Sequence, residues 1–149
     1  MTNDKYGKEL MRRAAGEAFV AHVKINYGGI LQGKDIIPHI DGTVAEMIAV
    51  EIQAGWSKAA RGAMLDLICS DQYLSKLLVV IDPPDGQGYA ARIRDHCHRI
   101  LGRFLPRERF RVILLKGNRS RPQWDDDLLI IQDALRELGW TPGQSRAVA

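Results

Sequence analysis

The chain has 149 residues, a formal net charge of +3, 46% apolar residues and 26% charged residues. That is the size and balance of one soluble globular domain, 1–149, with room for a substantial core. No apolar run approaches the ~20 residues of a membrane span, and the polar start Met-Thr-Asn-Asp-Lys-Tyr leads into an amphipathic stretch, which argues against a signal peptide or membrane partner. Cys69 and Cys97 fall in expected helices and read as free thiols, so a cytoplasmic location is expected.

In chain order, Asp4 can cap a first helix over 5–21, with Leu10, Met11, Ala14, Ala18 and Phe19 in one apolar stripe. A short strand follows at 23–27, and Gly28-Gly29 break it. Two strands at 35–40 and 44–53 flank Asp41-Gly42, a strong hairpin signal because both residues tolerate positive φ. Ser57 can cap a helix through Cys69, with Ala60, Met64, Leu65, Ile68 and Cys69 facing inward. The apolar run 76–81 reads as a strand buried on both faces. After the turn Pro83-Pro84-Asp85-Gly86 come a helix at 89–104 and a strand at 109–115. Pro122 opens a last helix that reaches Leu138, where Gly139 stops it. The order is α-β-β-β-α-β-α-β-α, which predicts an α/β fold with a mixed sheet flanked by helices.

The expected hairpin also carries the clearest chemistry. A reversal near Gly42 pairs residues whose numbers sum to roughly 84–86, which sets Glu51 opposite Lys34 and Asp35 and leaves Asp41 at the tip. Strand alternation puts Ala45, Met47, Ala49, Glu51 and Gln53 on one face and Val44, Glu46, Ile48, Val50 and Ile52 on the other. Two carboxylates ~5 Å apart repel by ~3 kcal/mol at an effective dielectric near 20. One then tends to hold a proton, unless a hard divalent cation such as Mg²⁺ or Mn²⁺ is bound between them. A solvated strand end is the plainer alternative.

Between Arg92 and Arg121 there are ten Lys or Arg residues and two acids. Such an excess suits a polyanion such as nucleic acid, or simply a solvated basic face. His96 and His98 lie two apart on a helix and point in different directions, so they do not readily share a metal. His39 falls near the expected hairpin tip, as a structural or exposed residue. Asp125-Asp126-Asp127 complement a helix N-terminus. Asp85-Gly86-Gln87-Gly88 reads as a turn before it reads as a phosphate cradle, and Trp56 as packing or a base-stacking platform.

With Asp35 opening the second strand and Glu51-Ile52-Gln53 closing the third, residues 5–82 resemble the PD-(D/E)xK nuclease superfamily, whose fold is called restriction-endonuclease-like. The shared core is α-β-β-β-α-β, here followed by α-β-α. Lys5-Tyr6-Gly7-Lys8-Glu9 looks like the first helix of the small archaeal-type Holliday junction resolvases, which implies Glu9 as a third acid. One departure stands out: Gln53 occupies the position where the superfamily usually has Lys. Gln can orient a water but supplies no positive charge. Lys58, just past the third strand, can bring one from another backbone position.

The resemblance implies Mg²⁺- or Mn²⁺-dependent hydrolysis of DNA phosphodiester bonds by a resolvase, restriction or homing type of endonuclease. Asp35, Glu51 and the carbonyl of Ile52 would hold the metal, and Gln53 would place the attacking water. Lys34, Arg92, Arg99, Arg103, Lys116 and Arg119 would hold the DNA backbone. A homodimer is expected, since two related sites cut two strands. The alternative is an inactive nuclease fold kept as a nucleic-acid-binding or protein-interaction module. A nucleotide-binding domain built on the Gly86–Gly88 turn is a more distant third.

Overall fold

The computed structural model describes residues 1–27, 38–54, 57–83, 88–117 and 121–143. Lys34, Asp35, Trp56, Asp85–Gln87 and Arg119 lie outside them. Within the described residues the chain is an α/β fold. Helix α1 (Asn3–Ala15) leads into strand β1 (Phe19–Lys24), then β2 (His39–Val44) and β3 (Ile48–Ala54). Helix α2 (Ser57–Cys69), β4 (Ser75–Ile81), α3 (Tyr89–Leu101), β5 (Phe110–Leu115) and α4 (Arg121–Glu137) follow. The five strands form one mixed sheet in the order β1-β2-β3-β4-β5. The first two pairings are antiparallel and the last two parallel.

Local chemistry sets the ends of α1. The Thr2 hydroxyl, not Asp4, accepts the Lys5 N–H at 3.2 Å, and Gly16 at φ +57° stops the helix. The expected helix over 5–21 is therefore too long. Phe19, expected on its stripe, opens β1 instead.

The sheet is covered on both faces. Helices α1 and α4 pack with Val44, Ile48, Val50, Ile52, Leu77, Val79, Ile81 and Leu115. Helices α2 and α3 pack with Ala49, Leu78, Val80, Phe110 and Val112. Every residue of β4 is buried, as its unbroken apolar run requires for a central strand. Within β3 the expected alternation is observed, while Ala45 and Met47, expected on the face of Glu51, instead join Val44 and Ile48.

The hairpin register differs from the expected one. The pairs are Gly42↔Val50, Thr43↔Ala49 and Val44↔Ile48, and the chain reverses at Ala45–Met47. Ala45 and Glu46 take φ of +53° and +57°, and Met47 N–H donates to Val44 O at 3.1 Å. Gly42 lies inside β2 for another reason. A Cβ there would sit 2.4 Å from Cε1 of Phe19 and 2.7 Å from the Val20 carbonyl oxygen, so β1 can approach only a glycine. The Asp41-Gly42 pair is thus a close-packing site, not the turn, and the place opposite Glu51 passes from Asp35 to Asp41.

All four helices begin at one end of the sheet. Helices α2, α3 and α4 each follow the C-terminal end of a parallel strand. For α1 the same end is fixed by Gly7, where a Cβ would meet Ile52 Cγ2 at 2.6 Å and Ile81 Cδ1 at 3.4 Å. Glu51 and Gln53 lie at this end of β3.

Candidate active site

Beyond Gly42 and Val50 the ladder between β2 and β3 stops. Two carboxylates take over the freed backbone groups. Asp41 N–H donates to Glu51 Oε1 at 2.9 Å, and Ile52 N–H donates to Asp41 Oδ2 at 2.6 Å. Each acid therefore satisfies the opposite strand's backbone, or its neighbour on that strand. The side-chain amide of Gln53 adds a hydrogen bond to Glu51.

Glu51 is only 4% exposed. Burial above all, then the charges of Asp41 and Asp66, push its pKa up to about 8, against the opposing hydrogen bonds from Asp41 N–H and Gln53. Burial also raises Asp41, helped by Asp4 and Asp66 and opposed by the Ile52 N–H and Lys8. Two half-starved carboxylates on adjacent strands cannot both ionise at low cost. They share a proton or take up a cation.

The donors suit a hard dication. Asp41 and Glu51 offer carboxylate oxygens, the donor type that hard dications such as Mg²⁺ prefer. Among the described residues no group of three or more His, Cys, Asp or Glu side chains stands close enough together to hold a metal ion.

The remaining expected residues separate. Glu9 does not join the pair; it accepts from Arg13 Nε at 3.2 Å on the half-exposed side of α1. Lys58 is exposed in the first turn of α2. Arg92 and Lys116 are exposed at the same end of the sheet as Glu51. Arg99 lies in the last turn of α3, roughly 10 Å further along at 1.5 Å per residue, and Arg103 just past the helix end.

Several residues near the pair were not placed there by the sequence. Asp4 and Lys8 form an i,i+4 ion pair at 3.1 Å on α1. Asp66 on α2 accepts the Tyr27 hydroxyl. His22 and His39 stack with centroids 4.2 Å apart on β1 and β2, close to Asp41. Each comes from a different element, so no spacing along the chain could reveal the grouping.

Two other buried polar groups are structural. Asp127 is fully buried and accepts Tyr6 OH at 2.6 Å, Lys116 N–H at 2.8 Å and Gly117 N–H at 2.9 Å. It ties α4 to α1 and β5 and is not a solvated dipole partner, which corrects one third of the Asp125–Asp127 expectation. Lys76, 3% exposed, donates to Ser70 O at 2.5 Å and Ser70 Oγ at 3.0 Å, beside the C-terminus of α2. Burial lowers its pKa to about 8. His98 packs against Phe110 at 5.0 Å, while His96 is exposed. Cys69 and Cys97 are free thiols. No helix among the described residues is long and apolar enough to cross a membrane.

Comparison of the chain with protein-family models, curated proteins and solved structures finds no match.

Proposed function

We propose that the protein is a metal-dependent endodeoxyribonuclease of the restriction-endonuclease-like, PD-(D/E)xK kind, with Asp41 in the place first given to Asp35. The observation that carries this is the buried Asp41–Glu51 pair, held on adjacent strands by reciprocal backbone bonds and short of positive charge. Asp41, Glu51 and the Ile52 carbonyl would hold Mg²⁺ or Mn²⁺. The bound ion would supply an acidified water and neutralise charge on the phosphate. Gln53, beside Glu51 on the same face, orients that water through its amide. Four helix N-termini at this end of the sheet favour an anionic substrate, and Arg92 and Lys116 are placed to grip its backbone. Two copies would cut two strands, which light scattering tests.

One observation favours a second reading. The reciprocal bonds of Asp41 and Glu51 satisfy the splayed strands without any ion, so an inert nucleic-acid-binding module keeps them too. A panel of supercoiled plasmid, linear duplex, four-way junction and single strand, with Mg²⁺ or Mn²⁺, separates the two. Metal-dependent cutting that Asp41→Ala and Glu51→Ala each abolish is expected. Cutting that survives Glu51→Ala, or no cutting and no calorimetric Mg²⁺ binding, refutes the nuclease.

A further inference from the structure

The sheet end that holds Asp41 and Glu51 is crowded with acids, because Asp66 acts on both and Asp4 on Asp41. Positive charge reaches it from α1, and Gly7 makes the approach possible. With a Cβ only 2.6 Å from Ile52 Cγ2, any other residue would hold the helix off β3. Ile52 is the residue between Glu51 and Gln53. Gly7, the neighbour of Lys8, therefore rests against Ile52, whose N–H donates to Asp41 Oδ2, so Lys8 approaches Asp41 from the face of β3 opposite Glu51 and Gln53. Its side chain is 20% exposed, and its Nζ lies 3.1 Å from Oδ2 of Asp4, which is 52% exposed. The charge of Lys8 also opposes the upward shift of Asp41. Gln53 is uncharged and its amide is engaged with Glu51.

We propose that Lys8 is the phosphate-contacting cation of this site: its ammonium leaves Asp4 for a non-bridging oxygen of the phosphodiester bound beside Asp41. This rests on the nuclease reading above. The exchange is easy, because an i,i+4 pair with a half-exposed acid is weak. An ammonium on a flexible stem, with three rotatable donors, can follow a phosphate through a change of charge. Gln53 cannot do so, having no charge to offer.

The test compares the wild type with Lys8→Ala, Lys8→Arg and the double variant Lys8→Ala/Gln53→Lys. In metal-free binding of a labelled DNA duplex, the slope of log affinity on log salt is expected to shrink by about 0.9 in Lys8→Ala and to stay in Lys8→Arg. In Mg²⁺-dependent cleavage, Lys8→Ala is expected to lose about 10²-fold in kcat. Gln53→Lys, which returns a charge to the same end of the sheet from its other face, is expected to restore part of that loss. Should Lys8→Ala fail to fold by thermal melting, Lys8→Gln, which keeps most of the stem, takes its place in both assays. A salt slope and cleavage rate unchanged in the Lys8 variant, in a background where the wild type binds and cuts, overturns the role of Lys8 alone. A wild type that neither binds nor cuts DNA overturns the nuclease reading and Lys8 with it.

Discussion

On the nuclease reading, Glu51 is the residue on which stability and function pull in opposite directions. Its pKa is about 8 in the fold, against an ordinary 4.5. Between those values the folded protein holds a proton that the unfolded chain has released. Stability therefore falls as pH rises through that window, by at most about 1.4 kcal/mol per unit, and levels off above it. A dication bound there, as the nuclease reading requires, would remove the slope by favouring the ionised form. Glu51→Gln keeps the acceptor for Asp41 N–H and removes the buried charge. Metal-free Glu51→Gln is expected to be more stable than wild type at pH 8 by about 1–3 kcal/mol and equal to it near pH 5. Urea denaturation at both pH values checks this; a variant less stable at pH 8 would show that the fold does not work against this charge. The same variant is expected to lose Mg²⁺ binding.

The β2–β3 hairpin is the element whose register decides which acids meet. Asp41-Gly42 is a strong turn signal, and it was overridden because Phe19 of β1 needs a glycine beneath its ring. The real turn uses Ala45 and Glu46, neither of which announces positive φ. Left-handed backbone costs roughly 1–2 kcal/mol at such residues, a cost that glycine does not share. Glu46 is exposed, so Glu46→Gly loses little packing. It is expected to stabilise by about 0.5–1 kcal/mol, measured by denaturant midpoint. With the turn at Asp41-Gly42, the same change would fall inside a strand and destabilise. A shift of the turn by four residues moves the pairing sum by several units, which is why the acid opposite Glu51 was misassigned while the face of Glu51 was not.

At the scale of the whole molecule, two helical layers on one sheet are joined at the site end by buried polar contacts. Asp127 is the clearest, bonding the Tyr6 hydroxyl and two backbone N–H groups at the end of β5. Tyr6 in turn meets Trp124 edge-on at 5.0 Å, and Arg13 lies over that indole. Asp127→Ala strands two buried donors and one partly buried one and is expected to cost about 3–5 kcal/mol. A midpoint shift under 1 kcal/mol in chemical denaturation would contradict it. The lock also fixes α1 against the sheet, and with it Gly7 and Lys8, so its loss reaches the site indirectly.

Residue pattern alone carries the α-β-β-β-α-β-α-β-α order, the span of α2, the doubly buried β4, the inward faces within β3 and the shared face of Glu51 and Gln53. These follow from periodicity, propensity and breakers, which act over a few neighbouring residues. The hairpin register, the partnership of Asp41 with Glu51, the bonding of Glu9 to Arg13 instead, the approach of Lys8 through Gly7 and the burial of Asp127 come from packing between elements. Each depends on what a distant element presses against: Phe19 on Gly42, Gly7 on Ile52, Tyr6 on Asp127. Close packing between elements far apart in sequence leaves no local pattern to read, and here it placed the charges.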